Sequence, residues 1–313
     1  MQAAAEARAV AREARDWPSA DRLRDEIEAA GWKVIDAGVS FRLEPAHPPD
    51  VVTGTAMRYG RSEAVPSLLD QPDARAATAI LVAREDVEGA ARAARALLAH
   101  APDEVRLVVV ADGLPDRSVA VLEGATGEAT NRAEIVRTSA PLGQAASLNI
   151  GIRRADGRVV VVVDPSIEVT GDVVTPLAAA LESPEVAIAG PLGVVSTDLR
   201  RFSETAEAGP ALAIEGYLQA FRRVDAAARG PVDEAFRFYR YLDVWWSLVL
   251  RAADEEGSPS GEARVVPELP LIRHDQVAWS GTSAAERDRL SKRNFYRLMD
   301  RFRDRLDLAV APR

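Results

Sequence analysis

GQAASLNIGIRRADGRVVVVVDPSIE, residues 143–168, decides the fold class of this chain. Ala145, Ala146, Leu148, Ile152 and Ala155 recur at helical spacing and predict a short helix that stops at the Gly157 turn. Val159 to Val163 follow without interruption, and Asp164 closes the run. An unbroken β-branched run bounded by turn residues reads as a strand buried on both faces, the habit of parallel sheets. Open α/β sheets bind their ligands in the crevice beyond the carboxyl ends of such strands. Asp164 stands at that point, with Ser166 and Glu168 on the loop it opens. A carboxylate there is either a hydrogen-bonded turn former or a ligand for a hard cation carrying phosphate. This stretch alone leaves both readings open.

Outward from it, strands and helices alternate. Before it come a strand at Ala77–Val82, an Ala-rich helix at Val87–Ala99 and a second buried strand at Val105–Val110 that runs into Asp112-Gly113. A helix from Asp116 to Leu122 and a short strand at Glu134–Arg137 follow. After it come a helix at Asp172–Leu181 and a strand at Val186–Ala189. The alternation predicts an α/β fold with a mostly parallel sheet covered by helices on both faces. The turn after the first strand, Ala83-Arg84-Glu85-Asp86, lacks G-x-G-x-x-G, and no Walker sequence occurs, so dehydrogenase and P-loop readings fall. A nucleotide site built from acidic strand ends remains, and it implies a bridging metal.

Composition narrows the field further. A net charge of −9 argues against a broadly basic nucleic-acid surface. The absence of cysteine excludes disulfides, thiolate zinc sites and cysteine nucleophiles. The histidines are His47, His100 and His274, too few for a histidine-rich metal cage. No apolar run approaches the roughly 20 residues of a membrane-spanning helix, and the N-terminus has no signal-like hydrophobic segment. A cytoplasmic protein is the expectation. Pro45, Pro48, Pro49, Gly54 and Gly60 mark an irregular connector, which divides an N-terminal appendage with its linker (1–70) from a catalytic domain (76–313). In the appendage, a helix through residue 15 and another over Ser19–Ala30 precede strands at Trp32–Ile35 and Val39–Leu43. ARDWPSADRLRDEIEAAGWKVIDAGVSFRL, residues 14–43, resembles the C-terminal tail of cysteinyl-tRNA synthetases, with its AD-x-x-RD helix and G-W-x-V-x-D hairpin. No HIGH, KMSKS or zinc-binding cysteine accompanies it, and the acidic chain favours a packing module over an RNA-binding one.

Over residues 76–305 the order of parts resembles family-2 glycosyltransferases of the GT-A fold. LVARED (81–86) stands where that family has V-P-x-Y-N-E, and VVVADGLPDRS (108–118) is similar to V-V-D-D-G-S-x-D. PLGQAASLNIGIRRADG (141–157) is similar to N-x-G-x-x-x-A-x-N-x-G-I-x-x-A-x-G, the most specific match. The resemblance implies that Ala83 and Glu85 line the nucleoside base and that Asp112 accepts a hydrogen bond from uracil. It adds Asn149, Asp164 and Ser166 to the donor site. VVVDPSIE (161–168) holds the D-x-D position, with Ser166 in place of the second Asp. The implied cofactor is Mg²⁺ or Mn²⁺, held by Asp164, Ser166 or Glu168 together with the phosphates. His274, in LPLIRHDQVAWSG (269–281), matches a late metal or diphosphate histidine and would make up for Ser166.

GPVDEAFRFYRYLDVWWSLVLR (230–251) is similar to the family's acceptor segment, with Leu242 replacing a Glu. Asp243 falls on the general base, the group that takes the acceptor proton as the hydroxyl attacks the anomeric carbon. Its structural reading is a cap for the following helix, and the two roles are compatible. Tyr217 and Tyr239 are candidates for acceptor contacts, Glu215 is an interior polar candidate, and Trp245 and Trp246 read as core. In the C-terminal helix, Ala284–Leu306, an apolar stripe backs an arginine-rich face. The expected activity is transfer from a nucleotide-diphosphate sugar, a uridine one, to an acceptor hydroxyl of a saccharide, lipid or small molecule, with inversion. The alternative is a non-catalytic nucleotide-sugar or RNA-binding protein with a degenerate D-x-D site. Sugar, acceptor and oligomeric state, a homo-oligomer included, stay open.

Overall fold

The computed structural model describes residues 1–312 apart from 39, 55, 128–130, 253–260 and 278–280. By contacts the chain divides into two compact units, Met1–Ala64 and Val65–Arg313. The first holds helices α1 (Gln2–Glu13) and α2 (Trp17–Ala29), the hairpin of β1 (Trp32–Ala37) and β2 (Ser40–Pro45), and the short pair β3 (Val51–Thr53) and β4 (Ala56–Tyr59). Pro18 does not break the second helix. It sits in the first turn, where its missing N–H costs nothing, and Asp16 caps the helix by accepting from Ser19 N at 3.2 Å. Asp36 on β1 pairs with Arg8 and Arg12 of α1, at 2.9 and 2.5 Å. Val39, expected to open the second strand, lies outside the described residues.

The second unit begins its alternation with β5 (Arg75–Ala83), α3 (Val87–His100), β6 (Val105–Ala111), α4 (Asp116–Thr126), β7 (Ala133–Thr138), α5 (Gln144–Arg153) and β8 (Gly157–Val163). It continues with β9 (Ile167–Val169), α6 (Val174–Ala180), β10 (Val186–Gly190), β11 (Gly193–Val195), β12 (Ser203–Thr205), β13 (Gly209–Ala211), β14 (Ala213–Ile214) and β15 (Leu218–Arg222). The remainder is α7 (Arg223–Arg229), α8 (Leu242–Arg251), β16 (Glu262–Val265), β17 (Leu271–Arg273) and α9 (Ala284–Phe302). Its large sheet runs β13-β16-β10-β15-β8-β5-β6-β7. The block β8-β5-β6-β7 is parallel, whereas β15 enters antiparallel between β8 and β10. The five valines of β8 are all buried, at 8% exposure or less, because helices cover both faces of the sheet.

Two small sheets bring later segments to the carboxyl ends of these strands. β9 pairs antiparallel with β17, so that the loop after Asp164 lies beside His274, whose N–H donates to Ser166 O at 2.8 Å. β11 pairs with both β12 and β14, and carries Glu204 and Glu215 toward the same end. Sequence patterning does not find these strands, which are two or three residues long and have too few positions for a period.

Arg251, at the end of α8, is 6% exposed and donates to Gly261 O at 2.8 Å, Leu308 O at 3.2 Å and also Leu212 O. One guanidinium thereby joins three distant segments, and burial lowers its pKa to about 10. Arg251→Met keeps the apolar volume but strands those carbonyls, so it is expected to cost roughly 2–4 kcal/mol in urea unfolding. No helix among the described residues is long and apolar enough to cross a membrane.

Candidate functional site

Two cavities of about 350 and 440 Å³ open at the carboxyl ends of β5 and β8. They share Gln144, Asp164, Gly216 and Tyr239 in their walls. The first is otherwise lined by the turn after β5 (Arg84, Glu85, Asp86) and by Arg237 and Phe238. The second is lined by Glu204, Glu215, Asp243, Arg273 and His274. Asp164 therefore sits at the junction of the two.

Asp164 leaves β8 with its N–H bonded to Tyr217 O at 2.9 Å. Its Oδ1 accepts from Ser166 N at 2.9 Å and from Ser166 Oγ at 2.5 Å. Burial raises its pKa, and the Ser166 hydrogen bonds oppose that. The turn-forming role of this carboxylate is seen in these bonds, and Asp164 also lines both cavities. Ser166 is 1% exposed, and its hydroxyl is spent on Asp164. His274 Nε2 lies 2.7 Å from Glu168 Oε2, which also faces Arg92 at 3.5 Å.

Asp243, in the first turn of α8, accepts from Val244 N at 2.9 Å with Oδ1 and from Gly216 N at 3.0 Å with Oδ2. Burial raises its pKa, against those two amides and Arg240. Tyr241, immediately before the helix, holds φ +66°, an uncommon conformation for a residue with a β-carbon. The chain thus turns sharply to present Asp243.

Three expected site residues are placed elsewhere. Ala83 is fully buried at the end of β5, its carbonyl accepting from Asp112 N at 2.9 Å, and lines neither cavity. Asp112 is 3% exposed and also lines neither. Its carboxylate accepts from Leu142 N at 2.7 Å, Gly143 N at 3.1 Å and Thr138 Oγ1 at 3.1 Å, with Arg84 Nε at 3.4 Å. Those amides hold the turn that leads into Gln144, so Asp112 shapes the site from behind. Gly143 adopts φ +103° there, a conformation that glycine supplies without strain. Asn149 clasps the acceptor segment: its amide donates to Val232 O and Glu234 Oε1, each at 2.9 Å, and accepts from Val232 N at 2.8 Å. It too lies outside both cavities.

Residues 78–230 match the family described as glycosyl transferase family 2. The match to family-2 glycosyltransferases covers just under half of the chain. In fold the chain is similar to the crystal structure of GalNAc-T7 with UDP, GalNAc and Mn²⁺, at 13% identity and a TM-score of 0.55 over 72% of this chain. It spans about half, 48%, of that longer chain. It is also similar to the mannosyltransferase PcManGT from Pyrobaculum calidifontis in complex with GDP-Man and Mn²⁺, at 17% identity and a TM-score of 0.55. That alignment covers 78% of this chain and 71% of the other. No curated protein matches the chain. The architecture is the GT-A fold expected from the sequence.

Gln144, Arg84 and Arg273 also line the cavities, and no motif in the sequence marks them. Arg273 stacks on Tyr217, 3.6 Å from the ring centroid, and bonds its hydroxyl. Its alternation with polar neighbours in LIRHD gave no signal beyond a strand end. Glu215 follows β14, with its N–H on Leu192 O at 2.9 Å. Burial, then Asp243 and Glu204, raise it from 4.5 to about 8.

That shift has a stability consequence. Between the unfolded value near 4.5 and the folded value near 8, the folded chain binds the extra proton. The stabilisation is full below the lower value and is lost as pH rises through the upper one. Glu215→Gln, which cannot ionise, is expected to leave Tm nearly unchanged at pH 5 and to raise it at pH 9. Discounted for the side chain's access to solvent, the gain is roughly 1 kcal/mol, or ~2–4 °C in a melting curve.

Proposed function

We propose that this domain transfers a sugar from a nucleotide-diphosphate donor, a uridine one, to an acceptor hydroxyl with inversion of the anomeric centre. The observation that carries the reading is the junction: Asp164 lines both a cavity reaching Glu85 and a cavity reaching Asp243. A donor lying in the first with its diphosphate at Asp164 turns its anomeric carbon toward the second. Glu85 and Arg84 then border the nucleoside, and Arg237 adds positive charge to that side.

A divalent ion, Mg²⁺ or Mn²⁺, fits the donor set. Asp164 and His274 line the same cavity and offer one carboxylate and one imidazole, and diphosphate and water complete the shell. Among the described residues no group of three His, Cys, Asp or Glu could hold a metal ion, so ion and nucleotide are expected to bind together. When bound, the ion neutralises the departing diphosphate. Ser166 fixes the Asp164 carboxylate, and Glu168 fixes the His274 ring.

Asp243 is the base. Its oxygens are held by the Val244 and Gly216 amides, which favour the ionised form needed to accept a proton. Burial raises its affinity for that proton. Alignment of acceptor hydroxyl and anomeric carbon across the junction supplies the remaining advantage.

The test is a thermal-shift screen of nucleotide sugars with Mn²⁺, because a donor that binds only the folded chain raises Tm. A rise with a uridine sugar and none with its free sugar supports the reading; no rise with any nucleotide or nucleotide sugar removes it.

A further inference from the structure

We propose that Gln276 is a further ligand of the divalent ion: its side-chain amide donates to Asp164 in the ion-free chain and turns its carbonyl oxygen to the ion on binding. This rests on the proposed placing of the ion at Asp164 and His274. Gln276 lies beyond residues 78–230, which match the family, in the segment that follows β17.

The pairing of β17 with β9 brings Gln276 to the site. Their antiparallel register sets Leu271 against Val169, Ile272 against Glu168 and Arg273 against Ile167. The ladder runs one residue further, where His274 N donates to Ser166 O at 2.8 Å. Two more residues in the same register set Gln276 against Asp164. Their side chains meet there, the Gln276 amide hydrogen-bonding the Asp164 carboxylate. Both residues line both cavities, whereas His274 and Asp275 line the second alone. Gln276 therefore stands at the junction assigned to the ion and the diphosphate.

An ionised carboxylate only accepts, so the amide gives it an N–H. A cation on Asp164 reverses that preference. The N–H protons would then face positive charge, while the carbonyl oxygen is a hard donor of the kind Mg²⁺ and Mn²⁺ take. Exchanging the two needs a half-turn about the last torsion of glutamine, which is broad and nearly two-fold. Neighbouring oxygens are committed elsewhere. Ser166 Oγ is bonded to Asp164 at 2.5 Å, and Glu168 Oε2 faces the His274 ring at 2.7 Å and Arg92 at 3.5 Å. Asp86 Oδ1 caps α3 through Gly89 N at 2.8 Å. Gln276 thus supplies the protein oxygen that Ser166, in the second position of the D-x-D pattern, does not. As a neutral ligand it also leaves more of the ion's charge for the diphosphate than a second carboxylate would.

The experiment uses the full chain and UDP. Affinity is measured by isothermal titration in EDTA and in saturating Mn²⁺, and the ratio of the two is the strengthening due to the ion. Gln276→Leu removes both amide functions and is expected to cut that ratio by ~10-fold or more, while affinity in EDTA changes far less. Gln276→Glu, which keeps an oxygen ligand, is expected to retain the ratio. An unchanged ratio in Gln276→Leu overturns the proposal, and so does a larger one, which would show that the amide competes with the ion. The second measurement needs no variant to fold. In the unaltered chain, with ¹³C in its glutamine side-chain carbonyls and with UDP and Mn²⁺ bound, electron–nuclear double resonance is expected to show a carbon coupled to the Mn²⁺ spin. Absence of that coupling, or its persistence in folded Gln276→Leu, also overturns the proposal. If Mn²⁺ does not strengthen UDP binding to the unaltered chain, the metal assignment fails and this one with it; if it does, and Gln276→Leu gains as much, this one alone fails.

Discussion

Asp243→Asn is expected to lower kcat by roughly 10²–10⁴-fold, the usual contribution of a positioned base, while nucleotide affinity stays close to that of the unaltered chain. The asparagine keeps the shape and one oxygen for the Gly216 or Val244 amide, but it cannot take a proton. Nucleotide affinity holds because Asp243 lines the cavity away from Glu85. Release of nucleotide diphosphate in a coupled steady-state assay measures both constants. The pH profile adds a second readout. Burial raises the Asp243 pKa above the ordinary carboxylate value of 3.8. On the proposed role of Asp243 its proton-accepting form is lost, and log kcat is expected to fall, as pH drops through a point above that value. The same acid limb is expected to be absent from the residual activity of Asp243→Asn.

Asp164→Asn is expected to weaken binding of the nucleotide with Mn²⁺ by about 10²-fold, or roughly 2.7 kcal/mol, in isothermal titration. An amide still accepts from Ser166 N and so preserves the turn, but the negative charge at the junction is gone. Binding of the nucleotide in EDTA is expected to change far less, since the role proposed for the charge is exerted through the ion. Equal weakening with and without Mn²⁺ would show that Asp164 serves only the turn.

The valine run and Asp164 made the sheet legible, because strands buried on both faces announce themselves by composition. β5, β6, β8 and the helices between them lie within a few residues of their expected bounds. The C-terminal helix ends at Phe302 rather than Leu306, where a short 3₁₀ turn takes over. The site was legible where a residue follows a strand or opens a helix, as Asp164 and Asp243 do, and where the family resemblance pointed, as at Glu85, Ser166 and His274. Asp112 and Asn149 occupy family positions, yet their polar atoms are consumed by backbone amides and carbonyls. Whether a side chain faces the cavity or the loop behind it depends on tertiary contacts that a linear motif does not encode. Glu204 and Arg273 were invisible for a related reason: they arrive on strands of three residues, and that of Arg273 pairs with a strand far back in the chain.

The most direct measurement is a crystal structure of the chain with UDP and Mn²⁺, with the metal placed by its anomalous scattering. The ion is expected at Asp164 and His274, the diphosphate on it, and the nucleoside in the cavity bordered by Arg84 and Glu85. A nucleotide seated away from Asp164, or one whose nucleoside enters the cavity of Glu215 and Asp243, would contradict this arrangement.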